Sequence, residues 1–157
     1  MDKKKLSRGF TLLELLVVVA IIGLLTSVVL ISLTSARNKG ADAGVKSNLV
    51  NAMSQAEVFY NTNTALPGTY TNVCAVGPVG GTSTIYALVT AAAKAAGLSS
   101  YTADTTGTLT TATCNDSASA WAAEVPLKSV ANSMWCVDST GKSKEESASI
   151  GAGVVCF

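Results

Sequence analysis

Apolar residues are distributed very unevenly along this chain. Residues 10–33 read FTLLELLVVVAIIGLLTSVVLISL, an almost unbroken apolar run with a single charge, Glu14. As a helix at 1.5 Å per residue this run would measure about 36 Å, enough to cross a hydrocarbon core of about 30 Å. A charge inside such a segment costs on the order of 3 kcal/mol and marks a candidate functional residue. We therefore predict a membrane-spanning helix with Glu14 as its functional group.

The helical pattern continues beyond the apolar run. Apolar side chains recur at helical spacing within residues 34–60 and form one stripe, made of Val45, Leu49, Ala52, Met53, Ala56, Phe59 and Tyr60. This pattern predicts one helix of about fifty residues, apolar in its first half and amphipathic in its second. Gly40 and Gly44 each weaken a helix by about 1 kcal/mol relative to alanine. We expect any bending or melting at these two glycines and at Gly23.

Residues 61–157 have the pattern of a small α+β domain. Turn-forming residues dominate positions 61–84, and a short helix is predicted at 85–97, capped by Ser83 or Thr84. The Thr/Ser-rich stretch 99–114 predicts a weak edge strand. Clearer strands are predicted at 121–128, 133–138 and 147–157. We expect three antiparallel strands to cover the apolar stripe of the long helix and to bury Trp121 and Trp135 with it.

The charge balance limits the classes of partner. The chain has 157 residues, 13% of them charged, with 11 Lys and Arg against 10 Asp and Glu. Residues 1–9 hold four basic residues and one acid, a net of +3, which leaves −2 for the remainder of a chain whose net charge is +1. A basic leader favours a cytoplasmic amino end. The remainder displays no basic patch, so we expect no specific nucleic-acid partner.

Four cysteines, Cys74, Cys114, Cys136 and Cys156, follow the apolar run. An even number in an exported domain predicts two disulfides. Three pairings are possible and the sequence does not decide among them, although we favour Cys74–Cys114 with Cys136–Cys156. Each would remove about 3–4 kcal/mol of unfolded-state entropy. The chain has no histidine and no CxxC pair, so we expect no metal and no cofactor.

The start of the chain resembles a known family. A basic leader, then Gly9, Phe10 and Thr11, then Glu14 ahead of an apolar helix resembles the processing signal of type IV pilins and type II secretion pseudopilins. The resemblance implies that prepilin peptidase cuts after Gly9 and that Phe10 becomes the methylated amino terminus. It implies that Glu14 pairs with the terminal ammonium of a neighbouring subunit. It also implies the pilin fold, a long helix packed on a small disulfide-containing sheet.

One departure from the family pattern concerns proline. Many relatives carry a proline about two-thirds along the membrane segment, where this chain has Ile31. The kink that this proline gives the relatives is therefore not expected here.

A cleaved secretory signal is disfavoured, because the apolar run is too long and no A-x-A site precedes a polar start.

We interpret the chain as a structural subunit of a type IV pilus-like filament. Its expected divisions are a leader at 1–9, a membrane and assembly half at 10–33, an amphipathic half at 34–60 and an extracytoplasmic domain at 61–157. Expected partners are copies of itself, prepilin peptidase, an assembly platform and the membrane. The subunit would wait in the cytoplasmic membrane as a single-pass precursor and would reach the cell surface in a filament.

Two alternatives stay open. The first is a pseudopilin of a type II secretion or DNA-uptake apparatus. The second, from another class, is a membrane-anchored extracytoplasmic binding domain that does not polymerise.

Several short motifs resemble phosphate-binding, calcium-binding or glycosylation sites, but we assign no such function to them. DSTGKS at 138–143 ends like a phosphate-binding loop, yet Cys136 stands where that loop needs glycine. Asp138, Glu145 and Glu146 fit no calcium-loop spacing. Asn115 begins a formal glycosylation triplet in a predicted loop. With no histidine and no convergent acid–base pair, we do not expect an enzyme.

Overall fold

The structure, a computed structural model, describes residues 9–157. Two units differ in their internal packing, one ending at Arg37 and the other spanning Asn38–Phe157. The elements are two helices, α1 (Leu12–Thr62) and α2 (Tyr86–Ala95), and five strands, β1 (Thr102–Ala103), β2 (Thr113–Asp116), β3 (Trp121–Pro126), β4 (Met134–Asp138) and β5 (Ser143–Glu146). The fold is α+β, with a long apolar-to-amphipathic helix, a short helix and a mostly antiparallel sheet, as the sequence predicted.

Helix α1 contains 51 residues, close to the predicted fifty. Gly23, Gly40 and Gly44, the three positions where melting was expected, are all helical. The helix ends at Thr62, and Asn63 follows it with an Asx-type turn. The amide of Asn63 donates to the Phe59 carbonyl at 3.0 Å, and its side-chain Oδ1 accepts from the amide of Ala65 at 2.9 Å.

The predicted stripe of α1 is the centre of the core. Five of its seven members are fully buried, namely Val45, Leu49, Ala52, Ala56 and Phe59. Met53 and Tyr60 are partly buried against the same core. The core continues through α2 and one face of the sheet, where Trp121 is buried and Trp135 is half-buried. Burial of this stripe therefore holds the sheet and α2 to the second half of α1.

The sheet has five strands in the order β1-β2-β3-β4-β5, where three antiparallel strands and a weak edge strand were predicted. The Thr/Ser-rich stretch contains β1 and the start of β2, which pair in parallel, whereas the other pairs are antiparallel. Side chains alternate between two faces. Trp121, Ala123 and Val125 of the inner face join the main core, whereas Ala122 and Cys136 of the outer face join a separate small cluster with Ile150 and Cys156.

The prediction of a last strand at 147–157 is wrong. The last strand is β5, in a charged stretch where no strand was predicted, and it pairs with β4 through contacts such as Trp135 opposite Glu145. Charged side chains are common on an edge strand, so low hydrophobicity did not exclude one. Residues 147–157, the covering segment, form turns and bends, with Gly151 at a φ of +61°. Such a backbone conformation interrupts a strand.

Helix α2 also differs from its prediction at one end. It begins at Tyr86, and the residue before it, Ile85, gives no side-chain cap. Thr84, one of the two predicted caps, accepts from the amide of Tyr86 at 3.4 Å, and its hydroxyl donates to the carbonyl of Ala75 at 2.8 Å. The other end is as predicted, because Gly97 follows the helix with a φ of +88°.

Candidate functional site

The residues on either side of the expected cleavage point precede the first turn of α1. Phe10 is 79% exposed, and no heavy atom of residues 9–157 lies within 4 Å of a Cβ built on Gly9. Packing among these residues therefore does not require glycine at this position. Residues 1–8 of the expected leader lie outside the described residues.

Thr11 and Glu14 form a reciprocal hydrogen-bonded pair at the start of α1. The Glu14 Oε2 accepts from the backbone amide of Thr11 at 2.8 Å and from its hydroxyl at 2.9 Å. The amide of Glu14 donates to the Thr11 Oγ1 at 3.2 Å. This arrangement is a capping box, which satisfies amides that a helix leaves free at its start. Thr11 was not predicted as the partner of Glu14, although the spacing T-x-x-E is the sequence pattern of a capping box.

Residues 12–33 of α1 present apolar side chains in every direction. All the large apolar side chains between Leu12 and Leu33 are between 44% and 81% exposed. Among the described residues, α1 is the helix that is long and apolar enough to cross a membrane, and none of its most apolar window is buried. A surface of this kind requires lipid or other helices around it.

Four hydroxyl groups between residues 26 and 34 bond to the backbone of α1 itself. Thr26 donates to the Ile22 carbonyl at 2.7 Å, and Thr34 donates to the Leu30 carbonyl at 3.1 Å. Ser27 and Ser32 make equivalent bonds to carbonyls three or four residues earlier. These side chains therefore carry no unpaired donor into an apolar environment. Glu14 is left as the one charged group of the run.

Comparison with known families identifies a motif at the start of the chain. Residues 4–30 match the family model for the prokaryotic N-terminal methylation motif. The chain carries this motif. It is the signal of type IV pilin-like and pseudopilin precursors, a structural rather than enzymatic group, and it implies processing by prepilin peptidase. With the apolar helix that follows, the chain has the features of a membrane-anchored precursor. No curated protein and no solved structure matches the chain.

Both disulfides have the pairing favoured from the sequence. Cys74 is bonded to Cys114, with Cα atoms 5.8 Å apart, and Cys136 is bonded to Cys156, with Cα atoms 5.9 Å apart. The first joins the loop after α1 to β2. The second joins β4 to the covering segment. Each bond therefore ties an irregular segment to the sheet.

The outer face of the sheet is unusually polar for a buried surface. Asn115 donates from its side-chain amide to the carbonyls of Gly151 and Gly153 at 3.0 and 3.1 Å. Glu124 is fully buried and accepts from the amide of Ile150 at 2.9 Å and from the hydroxyl of Ser149. Side chains of the sheet thus replace a strand ladder as the partners of the covering segment. Because Asn115 is buried and bonded, its glycosylation triplet is not accessible in the folded domain.

The two main carboxylates of this face have opposite pKa shifts. Burial raises the pKa of Glu124; bonds from Ser149 and Ile150 lower it, the nearby Glu146 raises it further, and the net pKa lies above the usual value. For Asp138, burial also raises the pKa, but donors including Thr140 and Cys156 outweigh it, so its pKa lies below the usual value.

The motifs rejected on sequence grounds do not form sites. Asp138 begins the turn between β4 and β5, and its Oδ1 accepts from the amide of Thr140 at 2.8 Å, which is ordinary turn chemistry. Glu145 accepts from the Ser133 hydroxyl at 2.5 Å and is not part of a convergent carboxylate group with Asp138 and Glu146. Within the described residues, the ligand-type side chains that converge are Glu146, Cys136 and Cys156, and the two sulfurs are bonded to each other.

A buried acid on α1 was missed by the sequence analysis. Asp42 accepts from the amide of Lys128 at 2.6 Å, from the amide of Ser129 at 3.0 Å and from the Ser129 hydroxyl. Burial raises the pKa of Asp42, but these donors and the positive Lys46 outweigh it, so the pKa lies below the usual value. Asp42 lies three residues before Val45, on the buried face of α1. An acid in line with the stripe was the available signal.

Proposed function

We propose that this chain is a structural subunit of a type IV pilus-like filament, cut after Gly9 and methylated on Phe10. The observation that carries the proposal is the methylation motif at the start of an apolar helix whose large side chains are exposed on all sides. In a monomer these side chains require lipid. In a filament, neighbouring helices would cover them, while residues 61–157 would be displayed outside.

Glu14 has a defined role in this proposal. One of its oxygens, Oε2, accepts both bonds from Thr11. Among the described residues its Oε1 accepts none, so this oxygen is free to receive the Phe10 ammonium of a neighbouring subunit. The pairing would remove an unpaired charge that costs about 3 kcal/mol in a membrane. Assembly would then be favoured both by helix packing and by neutralisation of this charge.

The division of the chain follows from the same proposal. Residues 1–9 act as a discarded leader, 10–33 as the membrane and assembly half, 34–60 as the half that carries the domain, and 61–157 as the extracytoplasmic domain. Before assembly the precursor spans the cytoplasmic membrane once. Afterwards it belongs to an extracellular filament built with an assembly platform.

Mass spectrometry of the mature chain and of sheared surface material tests the proposal. We expect abundant sheared protein that begins with a methylated Phe10. Gly9→Leu should leave uncut precursor in the membrane, whereas Gly23→Ala, at a glycine that also has open space around it, should be processed normally. A mature chain that begins elsewhere would refute the processing step. Processed protein found only in traces outside the cell would favour a pseudopilin, and uncut protein absent from sheared material would favour a non-polymerising anchor.

A further inference from the structure

Glu146 lies in a position that the filament role does not explain. Its side chain is only 4% exposed, and one of its oxygens lies within 4.8 Å of both sulfurs of the Cys136–Cys156 disulfide. Neither oxygen accepts a hydrogen bond from the described residues. The other carboxylates of the same face do, since Glu124 accepts from Ile150 and Asp138 accepts from Cys156. A buried carboxylate that accepts no hydrogen bond is costly, and the Lys144 ammonium, 3.4 Å from the Glu146 Oε1, belongs to a side chain that is itself about half exposed. This position therefore calls for an explanation.

The reduced form of the disulfide would supply the missing donors. A pair of cysteine thiols carries two S–H groups, and both sulfurs are already near the Glu146 carboxylate. The carboxylate is therefore better matched to the dithiol than to the disulfide. We propose that Glu146 is the proton acceptor and donor of the Cys136–Cys156 dithiol–disulfide couple.

The positions of the two cysteines assign the steps of disulfide formation. Cys136 lies in β4, paired on both sides, whereas Cys156 lies in the covering segment, which is not paired as a strand. Cys156 is 1% exposed, and its amide and carbonyl are bonded to Asp138 and Lys142, so an oxidant disulfide can reach its sulfur only after these two bonds open. Because Cys136 is held by strand pairing on both sides, we assign Cys156 as the sulfur that meets the oxidant. Its thiolate attacks one oxidant sulfur, forms a mixed disulfide and releases the first oxidant thiolate.

Glu146 acts in the second step. The Cys136 thiol passes its proton to the Glu146 carboxylate, and the resulting thiolate attacks the Cys156 Sγ. The Cys136–Cys156 bond forms as the bond from Cys156 to the oxidant breaks, and the second oxidant thiolate leaves. Two thiols have lost two electrons, and the oxidant disulfide has become two thiols, which take up the two protons. In the reverse direction, protonated Glu146 donates to the departing Cys136 thiolate.

Two charged groups face Glu146 and must be considered in any pH dependence. Lys144 on β5 places its Nζ 3.4 Å from the Glu146 Oε1, and Glu124 on β3 is close enough to be affected by the Glu146 charge. The Lys144 side chain is 47% exposed, so solvent screens this ion pair. Glu124 titrates, so it needs its own variant in the test. The covering segment, SASIGAGVVCF, contributes Cys156 alone as a titratable side chain.

Reduction of the native, full-length chain by a phosphine tests the proposal. The phosphine attacks the Cys156 sulfur, the S–S bond breaks, Cys136 leaves with a proton, and water converts the phosphorus–sulfur adduct to phosphine oxide and the Cys156 thiol. Acid trapping and peptide mapping would follow both disulfides, so that Cys74–Cys114 serves as the internal reference. From about pH 8 to about pH 5, the rate ratio of Cys136–Cys156 to Cys74–Cys114 opening should rise tenfold or more.

Variants decide the origin of this pH dependence. Glu146→Gln, of nearly the same shape, should give a ratio that does not change with pH, whereas Glu145→Gln, on the neighbouring exposed residue, should behave as the wild type. Glu124→Gln should keep the dependence. A flat ratio in the wild type, or a dependence that survives in Glu146→Gln, would overturn the proposal, as would its disappearance in Glu124→Gln. If Glu146→Gln does not fold, Glu146→Asp must show a reduced dependence, and an unchanged one would count against the proposal.

Discussion

At the scale of single residues, Glu14 has a capping role that was not predicted, beside its proposed role in assembly. The apolar run contains no cation, so Glu14 was expected to pair only with another subunit. The structure gives it a neutral partner three residues earlier, Thr11. The helix start is therefore ordered before assembly, and one oxygen of Glu14 is already fixed in direction. A fixed carboxylate loses less entropy when a neighbouring ammonium binds.

The first prediction concerns this cap. Thr11→Ala should loosen the first turn of α1, because loss of a threonine cap costs about 1 kcal/mol. Amide exchange at residues 12–14 in detergent micelles should become faster by several-fold, and Thr11→Ser should restore protection. Thr34→Ala is the matched control, since the Thr34 hydroxyl bonds to a carbonyl within the helix rather than to a free amide. Equal exchange in Thr11→Ala and wild type would show that the cap does not hold the turn.

A second residue-scale prediction concerns Glu124. Its pKa is raised in the folded state, so its contribution to stability is present at acid pH and is lost as the pH rises through the raised pKa. Wild-type thermal stability should therefore decline relative to Glu124→Gln as the pH increases above the usual glutamate value. Melting followed by circular dichroism across this range would measure the difference. A constant gap between the two proteins would contradict a raised pKa.

At the scale of elements, periodicity predicted those that bury an apolar face. The α1 stripe, α2, β3 and β4 each carry recurring apolar residues that the core requires. The elements at the outer face of the sheet could not be predicted from periodicity. There β5 is held as an edge strand by backbone pairing, and the covering segment is held by side-chain bonds from Asn115, Glu124 and Asp138. Such bonds join positions up to 38 residues apart and leave no periodic pattern.

Asp42 shows the same limit within a helix that was predicted well. The periodicity located α1 but could not show that the loop after β3 would place its amides against an acid 86 residues earlier. This contact fixes the β3–β4 loop to the second half of α1. The sequence could locate the candidate membrane site because its residues are neighbours. It could not locate this contact or the group around Glu146, since only the folded sheet brings their members together.

The prediction for this element is a loss of stability in Asp42→Ala. The substitution would remove the acceptor of the Lys128 and Ser129 amides, which belong to exposed residues, so we expect a loss of about 0.5–1.5 kcal/mol for each hydrogen bond. Urea unfolding should show this decrease, with a smaller one for Asp42→Asn, which retains one acceptor. Ser47→Ala, at an exposed position on the same helix, should change stability by less than about 0.5 kcal/mol. Similar effects of the two alanine variants would refute the role given to Asp42.

At the scale of the whole molecule, the disulfides compensate for a core of mostly small residues. Cys136→Ser combined with Cys156→Ser should lower the unfolding free energy by about 2–5 kcal/mol. Cleavage after Gly9 should still occur, because the methylation motif ends at residue 30. Mapping of the mature amino terminus would measure cleavage after Gly9. The amount of protein in the membrane would measure the loss of stability. Loss of cleavage together with stability would show that the peptidase depends on the folded domain.

The last prediction separates the capping role of Glu14 from its proposed role in assembly. Glu14→Gln keeps an oxygen that can cap Thr11, since glutamine also serves in a capping box, but it removes the charge. Glu14→Ala removes both and relieves the monomer of about 3 kcal/mol in the membrane. If the charge pairs with a neighbouring Phe10 ammonium, both variants should be processed and should accumulate in the membrane, and neither should appear in sheared filaments at wild-type levels.

The glutamine and alanine variants of Glu14 together distinguish the effect of the charge from the effect of the helix cap. Normal assembly of Glu14→Gln with failure of Glu14→Ala would assign the requirement to helix capping alone, and Thr11→Ala should then fail as well. Normal assembly of both variants would refute any role of Glu14 in assembly. Failure of both, with normal assembly of Thr11→Ser, would leave the charge as the property that matters. The apolar surface of α1 would then supply most of the attraction between subunits, and Glu14 would set the register in which two helices can meet without a buried, unpaired charge.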